Sequence, residues 1–256
     1  MDLRKKFNED AAKYDKMRPL YVKELYSDIL GYANLSEAKV LEIGIGTGQA
    51  TLPFLKQGFQ ITAVDLNSAM IEFSQKKFFM YKNIDYINQA FEDIVSKNDD
   101  YDIIYSASAF HWIDEQVGYP KVYSLLKRTG TLALFWNHPV LREESLNEKM
   151  QVVYDKYFSA NRKKTPIHKY SCEKCEEIIE KLKSYKFCQI KCNVYYATRI
   201  LNGKEYIELL ETYSDHRALN KLALKDFSSD LLDLISSNGN EIVIDDTIDL
   251  YLAKKI

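Results

Sequence analysis

The 256-residue chain is 46% hydrophobic with a formal net charge of −2 and a pI near 6.1, which suits one α/β domain over residues 1–256 with a single substantial core and a modest insertion. That balance argues against a nucleic-acid or anionic-membrane partner, and the short clusters Arg4-Lys5-Lys6 and Arg162-Lys163-Lys164 read as solvated faces. No apolar run approaches the roughly 20 residues that span a bilayer, and the charged N-terminus lacks a signal-peptide core, so the expected compartment is the cytoplasm.

Residues 1–35 read as one or two helices. Phe7, Ala11, Tyr14 and Met17 share an apolar edge at helical spacing, Pro19 punctuates it, and Tyr21, Leu25, Ile29 and Leu30 mark a second amphipathic helix. Val40, Leu41 and Ile43 form the short apolar run of a parallel strand covered on both faces. Gly44, Gly46 and Gly48 follow as a turn without Cβ atoms, and a helix is expected over Gln49 to Gln57. A second strand, Phe59 to Asp65, ends in a carboxylate about 20 residues past the first glycines. Asn67 or Ser68 is placed to cap a helix over Ala69 to Phe79, and Ile84 to Asn88 reads as a short strand leaving through Gln89-Ala90-Phe91-Glu92.

The fourth strand, Tyr101 to Ser108, runs into Ala109-Phe110-His111-Trp112. Ligands of open parallel sheets lie beyond the carboxyl ends of the strands, which singles out Ser106 to Trp112. A helix over Pro120 to Leu126 and a strand over Gly130 to Trp136 come next, the strand ending at Asn137-His138-Pro139. Residues 137–170 then turn polar and basic and are expected to form an insertion that covers the substrate. The remaining pattern is a helix from Cys172 to Tyr185 capped by Ser171, a strand from Phe187 to Thr198, helices over Gly203 to Arg217 and Leu222 to Ser236, and a last strand over Glu241 to Lys254.

The glycine turn between strand and helix is a cradle for a small molecule. A dinucleotide fingerprint requires a small third residue, and the positions that would hold it are Gln49 or Thr51. An acid at Asp65 is instead placed to accept hydrogen bonds from both hydroxyls of a ribose. Glu42-x-Gly44-x-Gly46-x-Gly48, Val64-Asp65 and Met70 resemble the first two motifs of class I S-adenosylmethionine-dependent methyltransferases. Ala109-Phe110-His111-Trp112 and Thr212 to Leu219 are similar to the small-molecule branch (methyltransferase type 11) that includes trans-aconitate methyltransferase-like proteins.

This resemblance implies a Rossmann-like doubly wound sheet, mostly parallel with one antiparallel C-terminal strand, helices on both faces and an N-terminal helical lid over residues 1–35. It implies S-adenosylmethionine as cofactor and a small-molecule acceptor, with a carboxylate or a hydroxyl as the methylated group. On the matching positions it places Tyr14, Arg18, Glu42, Gly44, Gly46, Gly48, Asp65, Leu66, Met70, Ala90, Phe91, Ser106 and Ala107 at the cofactor, and His111, Trp112, Tyr213 and Arg217 at the substrate. Two readings stand for His111, a general base for a hydroxyl or amine, or a hydrogen-bonded structural residue. A carboxylate acceptor needs no base.

No metal is expected. Cys188 and Cys192 fall four apart on a strand, about 13 Å, too far to share a metal with bonds of about 2.3 Å, so they and Cys172 and Cys175 read as reduced thiols. Two other functional classes stay open at this point: a non-catalytic module on the same fold, and an NAD(P)-dependent oxidoreductase. The second lacks both the third small residue and a Tyr-x-x-x-Lys pair after the fourth strand.

Overall fold

The computed structural model describes residues 10–158 and 172–256; Phe7, both basic clusters and Ser171 lie outside the described residues. The chain begins with α1 (Ala11–Met17), capped by the Asp10 carboxylate, which accepts the Lys13 N–H at 2.8 Å. Arg18 ends the helix in an extended conformation, as a residue before proline prefers. Helix α2 (Lys23–Ala33) buries Leu25, Tyr26 and Ile29 and closes on Asn34 in the left-handed region.

Alternating strands and helices follow: β1 (Lys39–Ile43), α3 (Leu52–Lys56), β2 (Gln60–Asp65), α4 (Ser68–Lys77), β3 (Ile84–Asn88), β4 (Tyr101–Ala107), α5 (Glu115–Leu125) and β5 (Leu126–Leu141). Then come α6 (Glu144–Tyr157), α7 (Cys172–Ser184), β6 (Cys188–Leu201), α8 (Gly203–Leu210), α9 (Lys221–Ser237) and β7 (Ile242–Lys254). The seven strands form one sheet in the order β3-β2-β1-β4-β5-β7-β6. Strands β1 to β5 pair in parallel, and β7 runs antiparallel to both β5 and β6. This is the expected doubly wound sheet, mostly parallel, with the antiparallel C-terminal strand β7 set between β5 and β6. The order reverses between β1 and β4, so their carboxyl ends splay open there.

Neighbouring residues of the central strands serve opposite faces, as the two-residue period requires. Val40, Ile103, Ala133 and Phe135 pack with α2, α3 and α4, whereas Leu41, Ile104, Leu132 and Leu134 pack with α5 and α7. A third cluster joins α6, α8 and α9 to Met17 of α1 and Ile242 and Ile244 of β7.

Four segments differ from the sequence expectation. The helix after the glycine turn starts at Leu52, not Gln49, because Pro53 occupies its first turn, where a missing N–H costs nothing. Asp114 starts α5 five residues before Pro120 by accepting the Gln116 N–H at 2.8 Å, and the proline sits inside the helix. Strand β5 runs on through Asn137, His138 and Pro139 to Leu141, paired with β7. Beyond Phe135 the backbone N–H groups alternate: that of Trp136 meets Asp249 on β7, and that of Asn137 points the other way to Ser108. Pro139 shares the outward parity of Asn137, so its lack of a donor breaks no ladder bond. Residues 137–141 therefore belong to the sheet and 144–157 to a helix, while 159–170 of the expected insertion lie outside the described residues. Finally, the helix expected over 203–217 stops at Leu210. Thr212 turns its hydroxyl back onto the Leu209 carbonyl at 2.6 Å, and Asp215 captures both the N–H and the ring of His216.

Candidate active site

The crevice at the strand-order reversal holds two adjoining cavities, of about 140 and 460 Å3. Gly44, Gly46, Ala107, Ser108, Trp112 and Tyr14 line both. The first is built at the ends of β1, β2 and β3. Gly44 takes φ +75° and Gly46 φ +55°, and Gly44 N–H donates to the Val64 carbonyl of β2 at 2.8 Å. Asp65 braces this turn: one carboxylate oxygen accepts the Gly46 N–H and the other the Asn67 N–H, each at 2.8 Å. Burial pushes its pKa above the ordinary carboxylate value, against those two hydrogen bonds. Leu66, Asn67, Met70, Gln89, Ala90 and Phe91 complete the wall.

The three glycines do different work. A Cβ on Gly44 would stand 2.4 Å from Ala109 Cβ, and one on Gly48 would stand 2.3 Å from the Phe78 ring. A Cβ on Gly46 would meet nothing nearer than 4.0 Å. Gly48 is not on either cavity wall; it lets α4 pack on the turn. Ser106 is also off the walls, fully buried, with its hydroxyl donating to the Ile43 carbonyl at 2.9 Å as a brace between β4 and β1. Glu42 lies beneath the turn, 1% exposed, accepting from the Thr51 hydroxyl at 2.8 Å, and burial pushes its pKa up to about 8.

The second cavity lies between the outer half of β5, helix α1 and the chain after α8. Arg18 stands over it with its guanidinium 4.8 Å from the Tyr14 ring centroid and 4.3 Å from that of Tyr213. It donates to the Thr212 carbonyl at 3.1 Å, while its Nε is buried without a hydrogen-bond partner among the described residues. Arg217, by contrast, is not on the wall and donates to the Glu211 carbonyl at 2.7 Å. His111 and Trp112 enter from a 3-10 turn after β4. Trp136 Nε1 donates to His111 Nδ1 at 3.1 Å. His138 Nε2 lies 3.0 Å from Asp249 Oδ1, a carboxylate buried on β7. His111 keeps a solvent-exposed edge, and desolvation of its ring at the cavity wall, aided by His138, lowers its pKa below the usual imidazole value.

Sequence reasoning overlooked Tyr21 and Arg199 as wall residues, although it had singled out the stretch holding Ser108 and the strand end at Asn137. Tyr21 and Ser108 share a hydrogen bond of 2.9 Å between their hydroxyls, and Ser108 holds φ +52°. Such a backbone at the end of a central strand is a signal only in coordinates. Arg199 of β6 pairs with buried Asp246 at 2.9 Å, and its neighbourhood to Trp136 exists only because β7 bridges β5 and β6. Among the described residues no group of three or more His, Cys, Asp or Glu side chains is placed to hold a metal ion. No helix among them is long and apolar enough to cross a membrane.

Residues 40–130, from β1 into β5, match the model of a methyltransferase domain family. The chain is 28% identical over 204 residues to a probable S-adenosylmethionine-dependent methyltransferase of Saccharomyces cerevisiae, covering 73% of this chain and 67% of that one. Over 111 residues it is 32% identical to a malonyl-[acyl-carrier protein] O-methyltransferase of Ilyobacter polytropus, covering 41% of this chain and 40% of the other. Its fold is similar to that of a putative type II methyltransferase from Anaeromyxobacter dehalogenans, with a TM-score of 0.61 at 16% identity over 93% of this chain and 98% of that one. With a glycine turn at β1, an acid closing β2 and the sheet order seen here, the chain is similar in sequence and fold to the class I S-adenosylmethionine-dependent methyltransferases.

Proposed function

We propose that the chain transfers the methyl group of S-adenosylmethionine to an oxygen of a small-molecule acceptor held in the larger cavity. One observation carries this: the two cavities share the wall made by Gly44, Gly46, Ala107, Ser108 and Trp112, and Tyr14 and Arg18 roof the larger one. A donor in the first cavity and an acceptor in the second would meet across small residues, under a roof that favours a compact acceptor. The oxygen acceptor accords with the O-methyltransferase for which the Ilyobacter relative is named.

The residues present fit the cofactor. Gly46 leaves open space where any side chain would intrude. Asp65 uses one lone pair per oxygen on the turn, and a carboxylate has about four acceptor sites, so it can hold both ribose hydroxyls. Leu66, Met70, Ala90 and Phe91 offer the apolar slot for adenine. Buried Glu42 would face the ammonium of the methionine end, and the orphaned Arg18 Nε suits its carboxylate. When bound, the cofactor supplies an activated methyl group, so these side chains mainly position the reactants and exclude water. In this reading α1 serves as the lid.

Calorimetry with S-adenosylmethionine tests the first half: binding is expected, and Asp65→Ala weakens it by about 1.5–3 kcal/mol, the scale for hydrogen bonds to a charged acceptor. Turnover of methyl-labelled cofactor with a panel of small carboxylates and alcohols tests the second. Unchanged affinity in the variant counts against the cofactor pose, and binding without transfer to any panel member counts against the acceptor class.

A further inference from the structure

The larger cavity contains one hydrogen bond with a chemical consequence. An indole N–H only donates, so a partner 3.1 Å from Trp136 Nε1 must present a lone pair. On His111 that partner is Nδ1, and a neutral imidazole with its lone pair on Nδ1 carries its proton on Nε2. The indole itself is held firmly. Trp136 sits in β5 opposite Asp249 of β7, its backbone N–H donates to Asp249 Oδ1 at 3.1 Å, and its ring packs edge-on to buried Tyr251 at 5.9 Å. The lowered pKa of His111 favours the neutral ring, in keeping with this arrangement.

We infer that His111 acts as a hydrogen-bond donor through Nε2–H, in a tautomer set by Trp136, and that the acceptor oxygen it serves belongs to a carboxylate. The inference rests on the methyltransferase reading above. A general base must take a proton on a lone pair, and the lone pair of this ring is engaged by the indole. A hydroxyl or amine would therefore find a second donor at His111 instead of a base. A carboxylate finds what it needs: one oxygen accepts from Nε2–H while the other attacks the methyl carbon. The new C–O bond forms as the C–S bond breaks, its electron pair goes to sulfur, and no proton moves. The anion and the sulfonium become a neutral ester and a neutral thioether. The rings of Tyr14, Trp112, Trp136 and Tyr213 on the same wall suit an apolar or aryl skeleton behind that carboxylate.

Two measurements on the full chain separate this from the broader reading. Long-range 1H–15N correlation on 15N-histidine-labelled protein at pH 7, with His111→Gln for assignment, is expected to show His111 protonated at Nε2 and bare at Nδ1. Trp136→Phe is expected to release that preference into a mixture. An Nδ1–H tautomer, or an imidazolium at pH 7, overturns the inference whether or not any acceptor is known. The second measurement uses methyl-labelled S-adenosylmethionine with matched probes, 3-phenylpropionate against 3-phenylpropanol and succinate against 1,4-butanediol. Transfer is expected to the acids alone. His111→Gln, whose amide keeps a donor near the place of Nε2–H, should retain kcat/KM within about 5-fold, while His111→Ala loses about 10- to 100-fold. Transfer to the alcohols, or a His111→Gln variant as impaired as His111→Ala, overturns it. Alcohol transfer that disappears in His138→Ala would identify the Asp249-paired histidine as the base instead. No transfer to any probe while the cofactor binds overturns the acceptor reading, and with it the assignment of a carboxylate.

Discussion

At the scale of single residues, the glycine turn shows that one motif can hold separate tasks. Gly48→Ala places a Cβ 2.3 Å from the Phe78 ring at φ +80°. It is expected to destabilise the fold by about 2–4 kcal/mol through overpacking and left-handed strain, seen as a drop of several degrees in Tm. Gly46→Ala meets no atom nearer than 4.0 Å and should cost only about 1–2 kcal/mol, yet it should weaken cofactor binding about 10-fold or more by narrowing the cradle. Thermal melts paired with calorimetry on both variants separate the two roles; equal losses of affinity at equal stability would erase the distinction. The triple-glycine spacing was legible in the sequence, but its division of labour was not, because Phe78 and Ala109 reach the turn only through the packing of α4 and of the chain after β4.

At the scale of elements, α1 spans the site by polar ties to both sides. Lys13 pairs with Glu211 at 2.7 Å and Lys16 with Glu208 at 2.8 Å on the α8 side, while Asp15 pairs with Lys77 of α4 at 2.6 Å. Each is at least partly exposed and therefore weak, so the helix is held by a sum of small contacts and by Arg18 between two tyrosine rings. Glu211→Lys is expected to raise KM for the cofactor about 2- to 5-fold at low salt, with Lys13→Glu/Glu211→Lys restoring it. Steady-state kinetics at two ionic strengths check this, and a KM indifferent to both changes would detach α1 from ligand binding. The helix was readable from Ala11, Tyr14 and Met17, but its partners lie 62 to 198 residues away in the chain. Local periodicity is silent about those contacts.

At the scale of the whole molecule, two carboxylates near the carboxyl ends of the central strands, Glu42 fully buried and Asp65 half-buried, set the pH response. Glu42 has its pKa raised from an ordinary 4.5 to about 8, first by burial, and Asp65 is raised for the same reason. Between those two values for Glu42 the native state binds more protons than the unfolded chain. Stability is therefore fully present below about pH 4.5 for this group and falls as pH rises toward 8. The slope approaches about 1.4 kcal/mol per pH unit at most for one proton. Glu42→Gln should flatten it, as measured by denaturant melts from pH 5 to 8.5; an unchanged slope would assign the pH response elsewhere. A cation beside Glu42 opposes the desolvation, so cofactor binding at pH 7 is expected to release a proton. Calorimetry in buffers of different ionisation enthalpy reports it.

What the amino-acid sequence determined by itself is the order of elements: a strand such as Ile84–Asn88, the apolar run into Gly44, Gly46 and Gly48, and an acid at the end of β2. These follow from periodicity, turn chemistry and spacing, which act between residues near one another in the chain. Where elements began or ended differently, at Pro53, Asp114, Pro139 and Thr212, a neighbour in space or a competing side-chain hydrogen bond decided the boundary. The larger cavity was assembled by the tertiary structure. Trp136 reaches His111 across 25 residues, His138 reaches Asp249 across 111, and Arg18 reaches Thr212 across 194. Only the pairing of β5 with β7 and the docking of α1 bring these groups within hydrogen-bond distance, since the proton on an imidazole is set by whatever stands against the ring in space.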